Sequence, residues 1–185
     1  MIFRGLFAVL VALYPFIIYF GLRILPPSFF GLVLAVLLMF RFGIIPPEQR
    51  STAVPIIAIL LAYAVAAALS DSVTMLLYYP VLVNAILFVV FVGSLRSEEP
   101  LLLRLVRARG IPISSRGPGY LRRLTAIWAG FFVINGSIAA WTTTASIEIW
   151  TLYNGMISYL LIGALILGEW AFRRHYKKRH GLSID

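Results

Sequence analysis

An all-α integral membrane protein is predicted by three features of the sequence: six long runs without a charged residue, a composition too apolar for a water-soluble globule, and basic residues gathered between the runs and after the last one. The runs are Gly5–Leu22, Ile24–Phe40, Ser51–Ser70, Ser72–Leu95, Leu124–Ile147 and Ile149–Gly168. Each is close to the roughly 20 residues that carry a helix across the hydrocarbon core. Hydrophobic residues make up 61% of the chain, so its largest apolar surface faces lipid. Backbone polar groups find no partner in lipid, and no run alternates as a barrel strand does. Each segment must therefore close its hydrogen bonds within itself, as a helix. The expectation is a single six-transmembrane-helix bundle with helices at about 5–22, 28–45, 52–70, 73–95, 124–143 and 149–170.

The first helix follows Arg4 and lacks a small-residue cleavage site with a polar chain after it, so it reads as a retained span and not a signal peptide. The second has Pro27 at its first turn, where a missing N–H costs nothing, and Arg41 at its end, where a long side chain can snorkel to water. On the third, Ala58, Ala62 and Ala66 recur every four residues and predict a packing seam. Pro55 falls close enough to the predicted helix start to be harmless, whereas Pro15 and Pro80 predict kinks in the first and fourth spans. Each of these two prolines follows a tyrosine, Tyr14 and Tyr79, which is the pattern two inverted three-helix halves would leave. The fifth span carries a stripe of Trp128, Phe132, Asn135, Gly136 and Ala139, and the sixth places Trp150, Asn154 and Ser158 on one face.

Charge sets the expected topology. Between Arg96 and Arg123 stand seven arginines against Glu98 and Glu99, and Arg173 to Arg179 carries five basic residues and no acid. The positive-inside rule puts the loop 96–123 and the basic tail 171–185 in the cytoplasm, with both termini there as well. Within the loop, Pro100 starts a short amphipathic helix whose leucines would dip into the inner leaflet while Arg104, Arg107 and Arg109 meet headgroup phosphates. Gly110, Pro112, Gly117, Pro118 and Gly119 predict an irregular return to the fifth span. Arg173, Arg174, Lys177 and Lys178 are the matching anionic-lipid contacts of the tail. This footprint is that of a membrane surface and not of a folded nucleic-acid-binding face.

Polar side chains inside the spans either bond to a neighbouring helix or line a site. The candidates are Asn84, Asn135, Asn154, Tyr153, Ser158 and Tyr79, with Tyr159 close by. They predict either interhelical glue or a polar lateral groove for a lipid-like molecule. Catalysis is not expected. The chain has no cysteine, its two histidines, His175 and His180, lie in the tail, and Glu169 is placed to pair with Arg173 one turn on. Asp71 and Glu148 are at predicted loop ends, where charge serves solubility. No cofactor and no metal is expected.

The segment from Glu99 to Trp150, with its proline, leucine-arginine cluster, loop and the run Leu124-Thr125-Ala126-Ile127-Trp128-Ala129-Gly130-Phe131-Phe132-Val133-Ile134-Asn135-Gly136, resembles the intracellular septation protein A family. Tyr79–Asn84 and Leu152–Gly155 are also similar to a group of inner-membrane proteins encoded in aryl polyene-type gene clusters. The first resemblance implies a small multi-pass protein of the bacterial inner (cytoplasmic) membrane linked to cell envelope biogenesis, with envelope or division proteins as partners. The septation family tends to carry lysines where this chain has Tyr79 and Asn154, so a role resting on buried lysines does not carry over. The function expected is a non-enzymatic scaffold or accessory factor; the alternative is a carrier or flippase for a lipid or a lipophilic acyl or polyene precursor. An intramembrane enzyme would need Asp71 and Glu148 at one site.

Overall fold

The computed structural model describes residues 13–43, 45, 47–111 and 117–180, and only the backbone of residues 47–52, 172 and 175–180; among the described residues there is no strand. Helix α1 covers residues 13–21. It is followed by α2 (Pro27–Gly43), α3 (Pro47–Ser70), α4 (Val73–Leu95), α5 (Leu101–Ala108), α6 (Gly117–Thr142), α7 (Ile147–Leu152), a π-turn (Tyr153–Ile157) and α8 (Ser158–His180). Four stretches are long and apolar enough to cross a membrane: Ala53–Ser70, Val73–Leu95, Gly117–Thr142 and Ile147–Ala171. Helix α2 is apolar but shorter. The expected part of the first span before residue 13 lies outside the described residues.

The chain divides into two compact units, one of Met1–Pro80 with Ala139–Ile157, the other of Val81–Ile138 with Ser158–Asp185. In the first, α2 and α3 pack closely because Gly31 has no side chain. A β-carbon there would stand 2.5 Å from the backbone nitrogen of Ala68 and 3.0 Å from the carbonyl oxygen of Ala64. The expected seam is thereby corrected: Ala58, Ala62 and Ala66 are exposed, while Ala64 and Ala67 are buried. The reason is that the close approach is made by a glycine on the partner helix, which selects the alanine face it meets. Asp71, in the turn between α3 and α4 with φ +47°, accepts the Ser28 N–H at 2.7 Å and so caps the start of α2. The apolar core of this unit is Ile18, Phe30, Ala67, Leu76 and Trp150, with Tyr14, Leu22, Met75 and Leu77 against it.

In the second unit the end of α4 is closed by side chains. Ser94 is buried, donates to the Phe91 carbonyl at 2.7 Å and accepts the Leu101 N–H at 3.0 Å, which ties the first turn of α5 to α4. Arg122 spreads its guanidinium over the carbonyls of Leu95, Ser97 and Glu98 at 2.6, 2.8 and 3.1 Å. The Leu95 carbonyl is one that the helix end leaves without an intrahelical donor, and those of Ser97 and Glu98 belong to the connection that follows. The short helix expected after Pro100 is present, and Gly110 with φ +67° ends it. Leu103 is 2% exposed, so this leucine packs into the protein and not toward lipid; Leu105 keeps an open face.

Three boundaries differ from the expectation. Helix α6 starts at Gly117, so Gly117, Pro118 and Gly119 form its first turn and not an irregular return. Pro118 needs no donor there, and Arg122 anchors the early turns to α4. Helix α3 begins at Pro47, which leaves Pro55 inside it and no longer near its start. The last span is not one uniform α-helix: the π-turn interrupts it, and α8 runs on to His180 through the basic segment expected as a tail. The predicted pairing of Glu169 with Arg173 is present at 3.5 Å, and Tyr120 donates to the same carboxylate at 2.8 Å.

Candidate functional site

The polar chemistry of the first unit is organised around Pro80. A proline inside a helix has no N–H for the carbonyl four residues earlier and pushes that carbonyl aside. Here that carbonyl belongs to Leu76, and its neighbours are Met75 and Leu77. Three aromatic donors from three other helices meet these three successive carbonyls: Tyr63 of α3 donates to Met75 at 2.7 Å, Tyr14 of α1 to Leu76 at 3.1 Å, and Trp150 of α7 to Leu77 at 3.0 Å. Proline is tolerated in an apolar helix when neighbours satisfy the group it frees; Tyr14 does this for Leu76, and Tyr63 and Trp150 add donors to the carbonyls on either side. Trp150 is completely buried. Tyr79 packs against Tyr14 with ring centroids 5.1 Å apart, so the two tyrosines that precede prolines in sequence touch each other.

A second network sits on the last span. Asn154 lies in the π-turn, is 5% exposed, and donates to Thr142 Oγ1 at 3.1 Å and to the Trp150 carbonyl at 2.9 Å. The Thr142 hydroxyl in turn donates to the Ala139 carbonyl at 2.7 Å. Tyr153 is buried in the same turn. Gly155 admits the Phe16 ring, which a β-carbon at that position would approach to 2.7 Å.

In the second unit Asn135 donates to Asn84 at 3.0 Å, and both are buried. The expected stripe on α6 is visible around this pair. Phe132, Asn135 and Gly136 are buried, the Phe132 ring lies 5.1 Å from Phe91 and 5.8 Å from Trp128, and a β-carbon on Gly136 would reach to 3.0 Å from that of Asn84. Ser158 is also buried.

The structure therefore joins Asn84 to Asn135, and separately joins Asn154 to Thr142 and its own helix. Sequence reasoning did not find Tyr14, Tyr63 and Trp150 as carbonyl donors, nor Thr142 and Thr151. Pro80 names Leu76 as the carbonyl that loses its donor, but nothing local names the rings that replace it. Arg104, Arg107, Arg109, Arg173 and Arg174 are exposed, Arg107 pairs with Glu99, and Arg174 lies over the Trp170 ring at 5.2 Å. Lys177 and Lys178 lie outside the described side chains. Asp71 is engaged as a helix cap, and no group of three or more His, Cys, Asp or Glu is found among the described residues. What these sites offer chemically is donors and acceptors that stay neutral near pH 7. No family, curated protein or solved structure matches the chain.

Proposed function

We propose that this chain is a non-enzymatic scaffold of the bacterial inner membrane with six spans and both termini in the cytoplasm, acting in cell envelope biogenesis as its resemblance to the septation protein A family implies. The observation that carries the scaffold reading is the use of the intramembrane polar groups. Asn84 bonds Asn135, Asn154 bonds Thr142, and three aromatic donors cover the carbonyls beside Pro80. Polar groups used this way hold neighbouring helices together within each unit. In this reading α5 lies at the cytoplasmic surface, with Arg104, Arg107 and Arg109 toward anionic headgroups and one face left for an envelope or division protein.

The carrier reading rests on a different observation. A π-turn within an apolar helix is frequently a functional feature, and this one holds Tyr153 and Asn154, two of the residues expected to line a groove. The two readings separate in one experiment: extraction with native lipid into polymer discs, followed by mass spectrometry of retained proteins and lipids. The scaffold reading expects a reproducible envelope or division protein with bulk lipid. A specific lipid or polyene precursor that is retained by the wild type and lost on Asn154→Leu would replace it with the carrier.

A further inference from the structure

The two most exposed large apolar side chains among the described residues are Ile24 and Leu69, each 83% exposed, and both stand where the chain turns. Ile24 is in the turn between α1 and α2, and Leu69 is near the end of α3, just before the turn at Asp71. The 2.7 Å bond from the Ser28 N–H to Asp71 ties the two turns together at one end of the first unit. Their polar groups are closed locally. The amides of Leu22, Ile24 and Leu25 donate to the carbonyls of Ile18 and Gly21 at 2.9–3.0 Å, and Pro26 and Pro27 have no N–H to satisfy. Arg23 turns back onto α1, where it donates to the Tyr19 hydroxyl at 3.1 Å and lies 5.0 Å from the centre of that ring. Ser70 donates to the Ala67 carbonyl and Ser72 accepts the Met75 N–H, each at 3.4 Å. Polar groups that bond inward in this way leave apolar atoms facing outward. Helix α2 sets the depth. Its 17 residues rise about 25 Å, short of the roughly 30 Å hydrocarbon core, and Arg41 marks its far end. The apolar turn is the length that completes the crossing.

We propose that these paired turns lie at the boundary between headgroups and acyl chains, with Ile24 and Leu69 inserted among phospholipid chains and not in water. Arg23 and Tyr19 then sit at the membrane interface, where an arginine and a tyrosine are favoured. The inference goes beyond the scaffold reading and stands apart from it, because it concerns the depth of two turns and not what the cytoplasmic loops dock.

The chain has no cysteine, so single thiols can be introduced without background. Ile24→Cys and Leu69→Cys, each labelled with the environment-sensitive dye NBD, are compared in phosphatidylcholine vesicles with a Glu98→Cys control in the exposed connection after α4. Both should emit to the blue of the control, and both should lose intensity when the vesicles contain a lipid spin-labelled high on its acyl chain. Emission matching the control at either site overturns the proposal. A blue-shifted dye that the spin-labelled lipid does not quench would show that protein covers the turns, and overturns it as well. Solid-state NMR on the unmodified protein supplies a readout that needs no variant. Magnetisation should reach the Ile24 and Leu69 methyls faster from lipid chains than from water, and the reverse order would place the turns in water and sink the idea.

Discussion

The turn beside Pro80 and the Asn84–Asn135 pair solve the same problem, polar groups in an apolar interior, in opposite ways. The asparagines are side chains, and the pair can be removed from both ends at once. The carbonyls of Met75, Leu76 and Leu77 are backbone, so no substitution can delete them; only their donors can be lost. A side-chain pair is therefore open to replacement, whereas the Leu76 carbonyl that Pro80 leaves without a helical donor depends on Tyr14. Removing one partner of a bond and stranding the other costs more than replacing both by apolar groups of similar shape.

The largest effect follows from the most buried donor. Trp150→Ala should destabilise the protein by about 3–5 kcal/mol, combining a large cavity with the lost indole bond to the Leu77 carbonyl, read as a loss of thermal stability in lipid discs. Trp150→Phe, which keeps most of the volume, should retain the smaller part due to the carbonyl, about 1–3 kcal/mol. Equal melting of Trp150→Phe and wild type would show that the indole bond contributes nothing.

Tyr14→Phe tests the link to proline. It should cost about 1–2 kcal/mol in the wild type and much less in a Pro80→Ala background, because residue 80 then supplies the N–H that Leu76 lacks. A double-mutant cycle measures this coupling, and additive costs would sever Tyr14 from Pro80. Asn84→Leu alone should cost about 0.6–1.7 kcal/mol, and the double change Asn84→Leu with Asn135→Leu should recover part of that loss. If the double variant is instead the sum of the singles, the asparagines are not an optional pair. The smallest change is expected at the exposed Glu99–Arg107 ion pair, where Glu99→Gln should shift stability by less than about 1 kcal/mol and respond to salt.

What was legible in the sequence tracks what is local. The uncharged runs locate the long apolar helices because lipid excludes charge from them, and Pro100 announces α5 because a proline fits a first turn. The start of α6 was not legible, since Gly-Pro-Gly ordinarily breaks structure, and the anchor that extends the helix through it is Arg122 reaching α4. The alanine seam was misread for a similar reason. Ala58, Ala62 and Ala66 have the right spacing, but the face that packs is chosen by Gly31 on α2. Of the candidate polar residues, Asn84 and Asn135 meet in an interhelical bond, one of the two uses expected of the set, although their partnership was not named by spacing. The π-turn around Asn154 leaves no mark in residue spacing, because it is a difference of one residue in how the backbone closes.

The helix ends carry a consequence for the order in which the chain can assemble. Ser28 at the start of α2 finds its cap in Asp71, and the Leu95 carbonyl that ends α4 finds its donor in Arg122. In both cases the side chain that completes a helix is synthesised well after the helix itself. Helix α2 thus leaves the ribosome unfinished and closes when α3 has been made, and α4 waits in the same way for the first turns of α6. Helices α2 and α4 are thus sealed in delayed steps by residues made after them.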